Sequence, residues 1–348
     1  MNQLFLHCRG GFEGECAAEI TDLAAEQGIY GYAKAKPHSA HVIFVTENAE
    51  QLISALDFRR LIFTRQWFMC GEPLTNLPVD DRLTPILAEI GQLPHSRALV
   101  METVDTNEGK ELSGLAKKFA TPLQRQLDKR GLQRTKAKYN LHILFTRTDT
   151  AFVGVSPAEN SAPWPMGIPR LKLPKESPSR ATLKLEEAWH QFIPRDQWDH
   201  QLQGGQRAVD LGAAPGGWTW LLVQRGMFVE AVDNGPMQEA LMETGQVTHH
   251  KADGFQFEPR KPVDWLVCDI VDKPARVVAM VSRWFEAGFC QQAIFNLKLP
   301  MKQRYQEVQK LLQRLAEACD AAGKPVNLRA RQLYHDREEI TVMAQRRA

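Results

Sequence analysis

Several features that would assign this sequence to a class at once are missing from it. The six cysteines are scattered and no pair is spaced as C-x-x-C, so neither a zinc site nor a disulfide framework is expected. No apolar run approaches the roughly 18 residues that cross a bilayer, and the N-terminus lacks the regions of a signal peptide. These absences predict a cytoplasmic protein with reduced thiols, no membrane association and no bound metal.

The chain also lacks a marked excess of positive or negative charge. The chain of 348 residues has 43 Lys and Arg against 41 Asp and Glu, a formal net charge of +2. Hydrophobic residues make up 43% and charged residues 24%, which excludes a disordered chain and predicts two or three globular domains. Any surface that binds a polyanion must therefore be local.

One such basic segment lies in the N-terminal half. Residues 109–138 contain nine basic and only two acidic residues, and the basic ones are Lys110, Lys117, Lys118, Arg125, Lys129, Arg130, Arg134, Lys136 and Lys138. Phosphate backbones attract such a patch, whereas a solvated helix face is the plain structural alternative. Charge alone leaves both interpretations open.

A proline-rich segment divides the chain. Residues 157–180 hold six prolines, which predicts a semi-rigid connector between two halves. The first half mixes strands, including one expected at 61–68, with helices, including one expected at 110–130, and indicates an α+β fold.

The second half alternates strands and helices, a pattern typical of a mostly parallel α/β sheet. Asp233, Asp269 and Lys298 each stand at the carboxyl end of an expected strand. Ligands bind at this edge of such sheets, so we expect the three side chains to face one site.

The clearest local motif runs from Val209 to Trp218, where a strand is followed by small residues and then a helix. Gly212, Gly216 and Gly217 let a backbone approach a ligand closely. The spacing matches neither a dinucleotide loop nor a triphosphate loop, and favours a small, zwitterionic ligand that contains adenosine. A tight turn without a ligand is the alternative.

Two further carboxylates suit the same ligand. Asp233 is placed to accept hydrogen bonds from the hydroxyls of a ribose, and Asp253 to accept a hydrogen bond from the amino group of an adenine. Each is also a common residue at a helix cap or turn.

The segment 209–218 resembles the first motif of the FtsJ-like S-adenosylmethionine-dependent RNA 2′-O-methyltransferases. Segments 179–187, 295–298 and 337–340 resemble three further motifs of that family, in the right order. The resemblance implies a catalytic tetrad of Lys184, Asp269, Lys298 and Glu339, with Glu338 as the alternative to Glu339. It also implies that S-adenosylmethionine binds to a set of residues along these motifs: Ala181, Gly212, Ala214, Pro215, Gly216, Gly217, Asp233, Asp253 and Asp269. One departure is that Ile-Val-Asp follows Asp269, where shorter relatives have Ala-Pro.

The N-terminal half resembles a ferredoxin-like portion followed by a THUMP-type RNA-binding region. The predicted division is 1–75 ferredoxin-like, 76–156 THUMP-type, 157–180 linker and 181–348 Rossmann-like methyltransferase. As a whole the chain is similar to bacterial enzymes that methylate a cytidine of 23S rRNA at the ribose 2′-hydroxyl. This implies 23S rRNA as the partner, and we expect a monomer without an obligate protein partner.

In the implied reaction Lys298 takes the proton of the attacking 2′-hydroxyl, while Asp269 and Glu339 orient the two lysines. The alternative is that Lys298 stays charged and polarises the hydroxyl. Two other functions are weaker interpretations: an RNA-binding module with an inactive methyltransferase fold, and a nicotinamide-dependent dehydrogenase, which the loop spacing disfavours.

Overall fold

The computed structural model describes residues 1–347, so the last residue of the predicted domain 181–348 lies outside the described residues. The chain forms two compact units, one spanning Met1–Pro169 and one beginning at Arg170. Among the described residues, no helix has the length and apolar character needed to cross a membrane. All six cysteines are buried free thiols.

The first unit contains seven strands and four main helices. In chain order these are β1 (Gln3–His7), α1 (Glu13–Glu26), β2 (Tyr32–Ala35), β3 (His41–Val45), α2 (Ala49–Ala55), β4 (Gln66–Cys70), α3 (Leu83–Ile90), β5 (Ser96–Thr103), α4 (Asn107–Lys129), β6 (Tyr139–Arg147) and β7 (Thr150–Pro157). The strands form one sheet in the order β2-β3-β1-β4-β7-β6-β5. All neighbours are antiparallel except the parallel pair β5 and β6, and the predicted α+β fold is confirmed.

The strand expected at 61–68 is confirmed only in its last part, because β4 begins at Gln66 and residues 61–65 form a loop. The buried Glu19 carboxylate of α1 accepts hydrogen bonds from the backbone amides of Ile62 at 2.5 Å, Phe63 at 3.1 Å and Thr64 at 3.2 Å. Amides bound to a side chain cannot join a strand ladder, so an apolar run that looks like a strand forms a loop instead.

The helix expected at 110–130 is confirmed as α4. Leu112, Phe119 and Leu123 on one face of α4 pack into a cluster with β6 and β7. All nine basic residues of the segment 109–138 are exposed, as expected for the face of an amphipathic helix turned to solvent and for the loop that follows it.

The proline-rich segment is not uniform. Its first part packs into the first unit, where the Ala162 carbonyl accepts from Gln66 Nε2 at 2.9 Å and the Met166 amide donates to Glu102 at 2.5 Å. The division between the units falls within this segment, after Pro169. The division into four segments expected from the sequence stays a prediction.

The second unit contains seven strands and six helices. These are α5 (Thr182–Phe192), α6 (Trp198–Gln201), β8 (Arg207–Leu211), α7 (Gly217–Gln224), β9 (Phe228–Val232), α8 (Glu239–Met242), β10 (Val247–His250), β11 (Val263–Cys268), α9 (Pro274–Glu286), β12 (Cys290–Lys298), α10 (Arg304–Ala321), β13 (Val326–Arg331) and β14 (Glu339–Arg346).

The strand order of the second unit is β10-β9-β8-β11-β12-β14-β13. The first five strands in this order are parallel to one another. The expected mostly parallel sheet is confirmed, with β13 and β14 added in antiparallel direction. Because the parallel strands end at one edge, Asp233 after β9, Asp269 after β11 and Lys298 at the end of β12 stand along that edge.

Candidate active site

The pairing of β12 with β14 brings two charged residues of the predicted tetrad together. The strands are antiparallel, and their register places Lys298, the last residue of β12, opposite Glu339, the first residue of β14. Side chains directly opposite in such a pair are close neighbours. The Lys298 ammonium donates a hydrogen bond to Glu339 Oε2.

The third member comes from α5. Lys184 Nζ lies 2.6 Å from Glu339 Oε1 and 3.2 Å from both carboxylate oxygens of Asp269. Glu339 therefore bridges the two lysines, and the structure brings all four residues into one chain of contacts in the order Asp269, Lys184, Glu339, Lys298.

Neighbouring charges in this chain of contacts shift the pKa values of its members. Burial lowers the pKa of Lys184, but the carboxylates of Asp269 and Glu339 outweigh burial and raise it overall. Burial raises the pKa of Glu339, and the two lysines outweigh it and lower that pKa. Burial and the nearby Glu339 raise the pKa of Asp269 despite the opposing effect of Lys184. Lys184 is thus a fixed ammonium group between two acids.

The four side chains differ in their access to solvent. The Glu339 side chain is 2% exposed, that of Lys184 17%, and that of Lys298 33%. Lys298 is therefore the member that a large substrate reaches first. Glu338, the alternative acid, is 63% exposed and pairs with Arg304 at 2.8 Å, outside the chain of contacts.

Sequence reasoning missed the polar groups that support Asp269. Asn296 Nδ2 donates to Asp269 Oδ1 at 2.7 Å, and the Thr341 hydroxyl lies 2.8 Å from Asn296 Oδ1 and 3.0 Å from the carboxyl group of Asp336. Asp336 is buried, and burial together with the Glu339 charge raises its pKa well above the usual range. Strand alternation was an available signal, because Asn296 precedes Lys298 by two positions and so shares its face of β12.

A second support ties α5 to the chain before β14. The buried Glu187 carboxylate accepts from the amides of Tyr334 at 2.8 Å and His335 at 3.0 Å, and lies 2.6 Å from His335 Nδ1. Glu187 stands one helical turn after Lys184, so one helix both carries a lysine of the site and anchors the loop that leads to Glu339. His335 is thereby engaged in positioning this loop.

A cavity of about 320 Å³ adjoins the tetrad on the Asp269 side. The carboxylate residues Asp233, Asp253 and Asp269 line it, together with apolar walls that include Ile270 and Phe255. Carboxylates suit ribose hydroxyls and cationic groups, and apolar walls suit an adenine ring. The residues present therefore fit S-adenosylmethionine.

The glycine loop borders this cavity through its first residue. Gly212 lines it and has a φ of 77°, a left-handed conformation that favours glycine. The Asp233 carboxylate accepts from the amides of Ala214 at 3.1 Å and Gly235 at 2.7 Å, which holds the ends of two neighbouring loops in place.

The rest of the loop contacts protein atoms. An added Cβ on Gly216 would approach the side chains of Leu241 and Met237, and one on Gly217 would overlap the Ser179 hydroxyl. Pro215 and Ala181 contribute backbone carbonyls, which accept from the amide of Gln238 and from the indole of Trp218 respectively. Assignment of Ala181 and of residues 214–217 to the cofactor stays a prediction, as does that of Gly212, Asp233, Asp253 and Asp269.

Three successive segments of the chain match known protein domains. Residues 1–68 match the RlmM ferredoxin-like domain, residues 81–157 match the N-terminal domain of ribosomal RNA large subunit methyltransferase M, and residues 178–318 match the FtsJ-like methyltransferase domain. The chain is 60% identical to ribosomal RNA large subunit methyltransferase M of Cellvibrio japonicus, over 98% of both chains. It is 55% identical to the protein of the same name from Pseudomonas fluorescens Pf-5, over 98% of this chain and 96% of the relative.

The chain belongs to the ribosomal RNA large subunit methyltransferase M family. It is an S-adenosylmethionine-dependent methyltransferase of ribosomal RNA, with a Rossmann-like catalytic domain that follows a ferredoxin-like region. The expectations of family, fold class, enzyme class and cofactor are confirmed. The likeness of residues 76–156 to THUMP-type domains stays a prediction.

Proposed function

We propose that this chain methylates the ribose 2′-hydroxyl of a cytidine in 23S rRNA and that Lys298, Lys184, Asp269 and Glu339 carry out the reaction. The observation that supports this most directly is the unbroken chain of contacts among the four residues. It starts at Asp269, which lines the acidic cavity, and ends at Lys298, the more exposed of its two lysines.

The cofactor would be held by the cavity residues. Asp233 and Asp253 provide acceptors for hydroxyl and amino groups, Gly212 leaves room for a ligand beside the backbone, and Asp269 lies between this cavity and Lys184. When bound, S-adenosylmethionine supplies a methyl group activated by a sulfonium charge. The protein's main task is then to align the hydroxyl and to manage its proton.

Lys298 is the group that contacts the 2′-hydroxyl in this proposal. The hydroxyl is a weak nucleophile and loses its proton as it is methylated. Lys298 in its neutral amine form receives that proton and becomes an ammonium group. Glu339 orients the Lys298 amine, and Lys184, fixed as an ammonium group, holds Glu339 and Asp269 in place. Asp269 and Glu339 therefore act as positioning residues.

The first test is Lys298→Ala. We expect methyl transfer to rRNA to fall by about 10²-fold or more, because a lost acid–base group typically costs 10²–10⁴-fold. The affinity for S-adenosylmethionine, measured by calorimetry, should stay within about twofold, because Lys298 does not line the acidic cavity. Lys261→Ala, which removes an exposed lysine elsewhere in the second unit, is the matched control. Wild-type turnover in Lys298→Ala would remove Lys298 from the mechanism.

Lys298→Arg separates the two roles of the lysine. A guanidinium group keeps the charge but does not deprotonate in proteins. An inactive arginine variant agrees with proton transfer to Lys298. Substantial activity in that variant, with a flat pH profile, would show that the charge alone polarises the hydroxyl.

The monomeric state and the cytoplasmic location expected from the sequence also belong to this proposal. The six buried thiols agree with a reducing compartment. Size-exclusion chromatography with light scattering tests the first expectation, and cell fractionation tests the second.

A further inference from the structure

A second cavity, of about 530 Å³, opens at Lys298. It lies between the segment that enters α9, at residues 272–275, and the segment from Lys298 into the first turns of α10. It shares no lining residue with the acidic cavity. The tetrad thus borders two cavities, with Asp269 lining one and Lys298 lining the other.

The two cavities carry opposite charges. Three carboxylates and no lysine or arginine line the first. Four lysines line the second: Lys273, Lys298, Lys302 and Lys310. Lys298 is paired with Glu339, and of the two acids in the lining Asp272 is paired with Arg276 at 2.7 Å. Three lysines therefore remain beside one carboxylate, that of Glu307. A cationic donor suits the first cavity, and a polyanionic strand suits the second.

The second cavity also has the surface that a nucleobase needs. Leu299, Pro300 and Pro274 give it apolar walls, against which a flat ring can pack. The amides of Gln303 and Gln306, which both donate and accept hydrogen bonds, line it near the start of α10. A volume of about 530 Å³ lies within the usual range of small-molecule sites.

We propose that this cavity receives the base of the target nucleotide, turned out of its stack, with Gln306 at the edge of the base and Lys302 and Lys310 beside the neighbouring phosphates. This rests on the proposed function, because it places the ribose attached to that base at Lys298. Enzymes that modify a nucleotide commonly extrude it in this way and read its exposed edge. Gln306 is then a specificity-determining residue.

The test compares two synthetic RNA oligonucleotides that span the methylated position, first located by mass spectrometry of rRNA. They are identical except that one lacks the target base. We expect the wild-type protein to bind the intact RNA about tenfold more tightly than the abasic one, as the loss of one stacked base implies. Fluorescence anisotropy gives the two dissociation constants.

Gln306→Trp fills the cavity from an exposed position on α10, and Gln309→Trp makes the same change one turn away, outside the cavity lining. The first variant should bind both RNAs with the weaker affinity, and the second should keep the tenfold preference. Both should bind S-adenosylmethionine within about twofold of wild type. If Gln306→Trp keeps the preference for the intact RNA, the base does not occupy this cavity.

The double variant Lys302→Ala and Lys310→Ala leaves the cavity open and tests the phosphate contacts. It should weaken binding of both RNAs about equally and lower the slope of log affinity against log salt by about 1 to 2. Arg260→Ala with Lys261→Ala removes the same charge from exposed positions elsewhere in this unit. Equal behaviour of the two double variants would overturn the phosphate contacts.

The outcomes separate this inference from the proposed function. If the wild-type protein does not methylate a 23S rRNA cytidine at the 2′-hydroxyl, the proposed function fails. If it does, and Gln306→Trp behaves like Gln309→Trp, only the assignment of the cavity fails.

Discussion

At the scale of single residues, the buried acids of the second unit differ in what compensates them. Glu339 contacts two lysines, so its pKa is lowered despite burial. The buried Asp210 carboxyl in β8 accepts a hydrogen bond from the Thr219 hydroxyl at 2.6 Å, and burial raises its pKa to about 7. Asp269 and Asp233 repel its charge as well. Asp210 therefore costs stability when it ionises, whereas Glu339 is stabilised as an anion.

This difference predicts a pH effect for Asp210→Asn. In the unfolded chain Asp210 ionises near pH 4, whereas in the folded protein it holds its proton up to about pH 7. The folded state therefore binds more protons in this window, and the contribution of Asp210 to stability falls as the pH rises from about 4 to 7. Asparagine keeps an acceptor for Thr219 and removes the titration. The difference in unfolding free energy between the variant and wild type should shift in favour of the variant by about 2 to 3 kcal/mol when the pH is raised from 5 to 8.

Urea unfolding at the two pH values measures this change. Asp196→Asn is the control, because Asp196 is an exposed residue of the same unit and should give no pH-dependent difference. Asp210 and Asp196 variants with equal pH dependence would contradict the raised pKa of Asp210.

At the scale of elements, hydrogen bonds join the first residues of α7 to the start of α5. The Thr182 hydroxyl donates to the Gly217 carbonyl at 2.9 Å, and the Trp218 indole donates to the Ala181 carbonyl at 2.8 Å. Gly217 has no room for a Cβ beside Ser179. Because α5 carries Lys184, this contact sets the position of a tetrad residue as well as the shape of the glycine loop.

Gly217→Ala should therefore destabilise the protein and impair catalysis together. Overpacking of this kind costs about 1–3 kcal/mol, and a shift of α5 should lower methyl transfer at saturating S-adenosylmethionine. Gly114→Ala is the control, because the Gly114 position in α4 is open and alanine favours a helix, so that variant should be as stable as wild type or slightly more so. Unfolding midpoints and turnover numbers are the measurements. Unchanged values for Gly217→Ala would show that the structure beside Ser179 accommodates a methyl group without moving α5.

At the scale of the whole molecule, charge is distributed unevenly although the total is only +2. Nine exposed cations lie along α4 and the loop after it in the first unit, and four lysines line the cavity at Lys298 in the second. The acidic cavity suited to the cofactor lies in the second unit. Each unit thus has a surface suited to RNA, and affinity for RNA and affinity for the cofactor should depend on different residues.

Lys117→Ala with Lys118→Ala tests the surface of the first unit in the full-length protein. We expect weaker binding of 23S rRNA and a salt slope smaller by about 1 to 2, because each lost phosphate contact removes part of the counterion release. S-adenosylmethionine affinity should be unchanged. Lys34→Ala with Lys36→Ala removes the same charge elsewhere in the first unit and should have little effect. If the two pairs behave alike, α4 is a solvated face and not an RNA-binding surface.

The features of this protein that depend on the order of nearby residues could be predicted from the sequence. Alternating strands and helices indicated the parallel sheet, and the segments around Lys184, Asp269, Lys298 and Glu339 indicated a methyltransferase through their resemblance to a known family. The contacts between residues far apart in the chain became known only from the folded structure. The support of Asp269 by Asn296, the choice between Glu338 and Glu339 as the partner of the lysines, and the loop in place of a strand at 61–65 all depend on strand register and on buried side chains. Periodicity reports which face of an element is buried, but it carries no information about which polar group on another element meets that face.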